Sequence, residues 1–201
     1  FWIGLPWTIK MVFGQFADSI RIFGCGRKIY IFIGGGLIAS GSLVMVGLAA
    51  EWAWLLRLAA PEKLFFLASV ISIIGFVLQD VIADAMSTEV VDRTFPNGSP
   101  RPETEIDAEL AQVQWLGRIS LMSAGVIVAG LGGWFAQIYS YETIFKLGLL
   151  IPLISITGAT LVRLNPVPKT SINWWILGGG IAFGAFAGSF AFLEIPYGQE
   201  I

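Results

Sequence analysis

Residues 5–28 read LPWTIKMVFGQFADSIRIFGCGRK, an apolar run with one lysine, Lys10, set inside it. The run closes on Asp18 and on a turn carrying Gly24, Gly26, Arg27 and Lys28. A lysine inside a lipid-spanning helix costs roughly 2.5–3.5 kcal/mol on insertion scales, so it is a functional candidate by default. The reading holds only if the chain crosses a bilayer. Of its 201 residues, 56% are hydrophobic and 13% charged, against about 25% charged in a soluble domain. Mean hydropathy is +0.77. Several apolar runs are about 20 residues long, enough to cross a hydrocarbon core of roughly 30 Å. The alternating segments of about ten residues that mark a transmembrane barrel do not occur. The expected class is an all-α polytopic membrane protein.

About six spans are predicted: 1–18, 29–50, 64 to the low 90s, 108–139, 143–162 and 172–192. The second is rich in glycine (Gly34, Gly35, Gly36, Gly41, Gly47), and the sixth carries Gly180, Gly184 and Gly188 on one face. Small residues let helices approach closely where lipid supplies no hydrophobic push. Glu51, Trp52 and Trp54 mark an interface, where indole rings settle. Gly125, Ala129 and Gly133 stripe the fourth span. The 95–107 segment, with three prolines and several acids, reads as a solvent loop. Alternate loops hold Arg21, Arg27 and Lys28, then Arg93 and Arg101, then Arg163 and Lys169; the opposite side holds Arg57, Lys63 and Lys146. That bias puts the Arg27 side in the cytoplasm or its equivalent.

Charge within the spans is sparse. Asp80, Asp84 and Thr88 recur at steps of four, one face of a helix. Gln114 and Arg118 share a face of the next. With Lys10, these define an expected polar site in which Lys10 and Arg118 meet an anion. Asp80 or Asp84 would accept a hydrogen bond or carry a proton. The competing reading is two structural ion pairs. Histidine is absent and Cys25 is the sole cysteine. No nucleophile–base pair, metal cluster or phosphate-binding glycine loop is visible. No catalytic or metal-ligating residue, no cofactor, no nucleic-acid partner and no enzymatic activity is therefore expected.

Gly14 and Asp18, followed by Gly26-Arg27-Lys28, resemble the signature between the second and third helices of the major facilitator superfamily, with a longer gap than usual. In that pattern the acid and the basic turn form a cytoplasmic gating latch. More narrowly, Leu5-Pro6-Trp7-Thr8-Ile9-Lys10, then Gly14, Asp18 and Gly26-Arg27-Lys28-Ile29-Tyr30, resemble the folate–biopterin transporter family. So do Gln79-Asp80-Val81-Ile82-Ala83-Asp84-Ala85, followed by Glu89 and Arg93, and the closing Pro196-Tyr197-Gly198-Gln199-Glu200-Ile201. The resemblance implies a bundle of about twelve helices, with helices 2 to 7 present. Residues 1–165 would hold helices 2–6 of the first half, 166–171 the linker, and 172–201 the start of the second half. Both chain ends read as cut from a longer sequence.

The resemblance also implies a proton-coupled secondary transporter for a folate or pterin-like anion. It would sit in a plasma or inner membrane, or in a plastid envelope or thylakoid, and contact the lipid bilayer throughout. A second expectation is a transporter-like subunit or assembly factor associated with a larger membrane complex.

Overall fold

The computed structural model describes residues 4–20, 22, 27–161 and 173–193. Among these residues the regular elements are all helical: α1 (Leu5–Thr8), α2 (Lys10–Ser19), α3 (Lys28–Ala49), α4 (Ala53–Leu56), α5 (Pro61–Glu89), α6 (Glu103–Ile138), α7 (Tyr141–Gly148), α8 (Leu150–Leu161) and α9 (Trp174–Leu193). Each of the six expected apolar runs contains a helix within its described part. Among the described residues, four segments are long and apolar enough to cross a membrane: α3, α5, α6 and the α7–α8 pair. The chain is an all-α, polytopic membrane protein.

Two spans are broken. The first stops at Ile9, whose φ of −100° and ψ of 18° leave the helical region, and restarts at Lys10. The fifth pauses at Leu149, before α8. Pro152 explains the second break: it has no N–H to donate to the Gly148 carbonyl, so the helical ladder cannot run through. The fourth span begins at Glu103, earlier than its apolar stretch. Glu103 and Glu105 lie in its first turn, where carboxylates meet the positive end of the helix dipole.

The loop before it is folded. Thr94 and Pro100 form an antiparallel bridge, Gly98 turns the chain at a φ of 84°, and Arg101 reaches forward to Glu109 on α6 at 2.8 Å. The predicted linker 166–171 and the closing Pro196–Ile201 motif lie outside the described residues, as do Arg21, Gly24, Cys25 and Gly26.

The bundle is built on α3 against α5. A Cβ on Gly34 would lie 2.8 Å from the Gly75 carbonyl oxygen, and one on Gly75 would lie 2.6 Å from that of Gly34. A Cβ on Gly41 would likewise collide with the Ser72 hydroxyl and the Ala68 carbonyl oxygen. Gln79 fastens the pair, its amide donating to the Ile31 carbonyl at 2.9 Å. An interhelical hydrogen bond of this kind stabilises packing where hydrocarbon offers no alternative partner.

The buried core forms where α2, α3, α5 and α8 meet, from Ala17, Tyr30, Ile31, Leu78, Ile82, Met86 and Ala159. α9 joins through Gly180 against Val12 and Gly184 against Ile9. α6 has no buried residue, and its Gly125 and Gly133 face nothing within 4 Å.

Candidate functional site

The site is assembled on α2, a ten-residue helix whose charges oppose its own dipole. Lys10 opens it and Asp18 lies in its last turn. A cation near a helix N-terminus and an anion near its C-terminus each cost a few tenths to about 1 kcal/mol in an exposed helix. Both are compensated from outside α2, at two separate points.

At the first point Lys10 Nζ donates to Asp80 Oδ2 at 2.5 Å and to Asp84 Oδ2 at 2.8 Å. The two acids lie one helical step of four apart on α5, so one ammonium reaches both. Their environments differ. The Asp80 side chain is 26% exposed and that of Asp84 is 70% exposed, with Lys10 at 34%. Two carboxylates against one ammonium leave the cluster with a formal charge of −1.

At the second point Arg27, at the start of α3, holds Asp18 at 2.7 Å and also pairs with Glu89 at the end of α5. Tyr30, one turn along α3, donates its hydroxyl to the Ile20 carbonyl at 2.7 Å and to that of Phe16 at 3.3 Å. The Ile20 carbonyl lies past the end of α2, where carbonyls lack an intrahelical partner; that of Phe16 already accepts the Ile20 N–H at 2.9 Å.

The two points match in register. At roughly 1.5 Å per residue, Lys10 to Asp18 spans about 12 Å and Asp80 to Glu89 about 13–14 Å. α2 and α5 therefore run parallel, clamped at both ends of the same interval. Between the clamps Gly14 brings α2 close to Val81, whose side chain would lie 3.2 Å from a Cβ there.

Of the expected site residues, the structure brings together Lys10, Asp80 and Asp84, and separately Asp18 and Arg27 with Gly14 between. Arg118 lies exposed on α6 and has no ion-pair partner among the described residues. Lys28 is the first residue of α3. Gly26 lies outside the described residues.

Glu89 and Tyr30 are part of the second clamp without having been singled out as site residues. Glu89 is set about 140° around α5 from Asp84 at 100° per residue, so it falls off the acidic stripe and faces another neighbour. Its signal was the spacing to Arg27, which becomes visible only once α2, α3 and α5 are placed together.

The fold and this charged cluster define a class: a polytopic helical membrane protein with ionisable side chains held between its helices. The chain belongs to the BT1 family, whose family model matches residues 2–167. It is similar to a folate-biopterin transporter of Synechocystis, 25% identical over 176 residues that cover 84% of this chain and 31% of the relative. It is also similar to the probable folate-biopterin transporter 4 of Arabidopsis thaliana, 28% identical over 80% of this chain and 29% of the relative. Folate transporter 1 of Plasmodium falciparum is 26% identical over 85% of this chain and 30% of its own length. The chain thus spans under a third of the length of these relatives. No solved structure matches it.

Proposed function

We propose that this chain forms part of a secondary transporter for folate- or pterin-type organic anions, coupled to protons and working by alternating access. The observation that carries the reading is the Lys10–Asp80–Asp84 cluster inside a helical membrane protein. Ionisable side chains at such positions are rare and mark substrate or ion paths. The printed names of the relatives supply the substrate class.

A folate carboxylate suits an ammonium, and the amino and amide edge of a pterin suits a carboxylate. In this reading Lys10 and Arg118 take the anionic arm while Asp80 or Asp84 takes the ring or a proton. Residues 1–165 form helices 2–6 of the first half of a twelve-helix bundle, 166–171 the linker, and 172–201 the start of the second half. Substrate lies between the halves. Gly14, Asp18, Gly26, Arg27 and Lys28 form the cytoplasmic latch, closed by Glu89.

The test is uptake into proteoliposomes containing the whole protein. Folate is compared with an unrelated organic anion, gluconate, with and without an inward proton gradient. Folate accumulation that exceeds gluconate and rises with the gradient supports the proposal. Folate uptake no greater than that of gluconate removes it.

A further inference from the structure

Lys10 is already ligated as a carboxylate-binding site would be, by two carboxylates of its own chain. The two are not equivalent. Asp80 makes the shorter contact, 2.5 Å, and is 26% exposed; Asp84 makes the longer, 2.8 Å, and is 70% exposed. Asp80 is flanked on α5 by the buried Val77 and Val81, whereas Asp84 stands open to whatever approaches α2 and α5 from outside the core.

Arg27 is held by Asp18 and Glu89, and Glu109 on α6 is held by Arg101. Among the described residues, Lys10 is the cation in contact with Asp84.

We infer that Asp84 is an internal stand-in for the carboxylate of the substrate: it occupies the outer position on Lys10 until an organic carboxylate displaces it, while Asp80 stays as the fixed ligand. The inference rests on the transporter reading and deepens it by assigning the two acids different roles. It also names the group that Lys10 recognises, a carboxylate arriving from the exposed Asp84 side.

Exchanging one carboxylate for another preserves the two-oxygen coordination of the ammonium. It avoids leaving a charge uncompensated between helices, the costly alternative. Asp84 then opposes binding in proportion to its own hold on Lys10. Removing its charge strengthens the binding of carboxylates and of nothing else.

The experiment measures protection of the Lys10 amine against acylation, read by peptide mass spectrometry on the purified whole protein. The probes are glutarate, folate and biopterin, which lacks a carboxylate. The variants are wild type, Asp84→Asn, Asp84→Ser and Asp80→Asn. In both Asp84 variants glutarate should protect at several-fold lower concentration than in wild type. Asp80→Asn should show no such gain, and biopterin should be indifferent to Asp84.

Half-protection by glutarate at the same concentration in wild type and both Asp84 variants overturns the inference. An equal gain in Asp80→Asn also overturns it, since the two acids would then be interchangeable. If glutarate protects in the predicted order and folate does not, the folate reading falls and the displaceable carboxylate stands. If folate protects without regard to Asp84, the displacement falls and the folate reading stands.

Discussion

Gly34 and Gly75 face each other across the α3–α5 contact so closely that a methyl group on either would strike the carbonyl oxygen of the other, at 2.8 and 2.6 Å. Both obstacles are backbone, which cannot rotate away. Gly34→Ala and Gly75→Ala should each cost about 1–3 kcal/mol, the range for overpacking a tight contact. Gly36→Ala is the control, because nothing lies within 4 Å of that position, and it should be neutral or slightly stabilising through helix propensity. Thermal unfolding in detergent separates the two outcomes.

Glu51 carries a second backbone prediction. α3 ends with Trp52 N–H bonded to the Gly47 carbonyl at 2.9 Å and Glu51 N–H bonded to that of Leu48 at 3.1 Å. This is a Schellman ending with Glu51 in the left-handed position, at a φ of 52°. A residue with a Cβ pays a steric penalty there that glycine does not. Glu51→Gly should stabilise the protein by about 1 kcal/mol in the same assay. Gly47 cannot be exchanged in return, since a Cβ there would lie 2.7 Å from the Trp52 ring.

Arg27 joins three helix ends, and its loss should be felt at all three. Glu89 is only 9% exposed and would be left without its cation. Removing one partner of such a pair should lower stability by about 2 kcal/mol or more. The proposed gating role predicts something further. Ser19→Cys, buried in the parent protein, should be alkylated faster from the Arg27 side when Arg27→Ala is added. Glu89→Gln should reproduce most of the effect. An unchanged labelling rate in both would make Arg27 a surface anchor and nothing more.

Arg118 is the expected site residue that the structure leaves apart, exposed on a helix with no buried residue. Arg118→Ala should therefore leave thermal stability within about 0.5 kcal/mol, the range for exposed substitutions. If Arg118 contacts substrate in the whole protein, the same variant should weaken folate binding about tenfold or more, the worth of one charge-assisted hydrogen bond. Unchanged binding removes Arg118 from the site.

The long helices were legible because apolar runs of spanning length have few other uses. The intramembrane charges were legible for the converse reason: Lys10, Asp80 and Asp84 are conspicuous where everything around them is apolar. What could not be read was partnership. Glu89 enters the sequence reading as part of the motif that follows Asp84, but its partner Arg27 shows only once α2, α3 and α5 stand side by side.

Neither helix break is expected from the sequence, in which 1–18 and 143–162 read as continuous spans. Pro152 signals the one at Leu149 through its missing N–H. The interruption at Ile9 has no proline or glycine at the break itself. The packing role of the glycines is anticipated, and Gly34, Gly41, Gly180 and Gly184 are among those named for it, but Gly75 is not, and Gly36, Gly125 and Gly133 do not pack. Gly34, Gly41 and Gly75 are closed over, while Gly125 and Gly133 on α6 face open space.

Lys10 is the residue on which the transporter account turns, so folate uptake by Lys10→Ala is its most direct measurement. The assay needs parallel quantification of the protein reaching the membrane. A double variant, Lys10→Ala with Asp80→Asn, serves to relieve the uncompensated carboxylates and keep the bundle folded. The account predicts that both variants insert and that neither accumulates folate above background. Wild-type rates of uptake by Lys10→Ala would contradict it and leave the Lys10–Asp80 pair as a structural tie between α2 and α5.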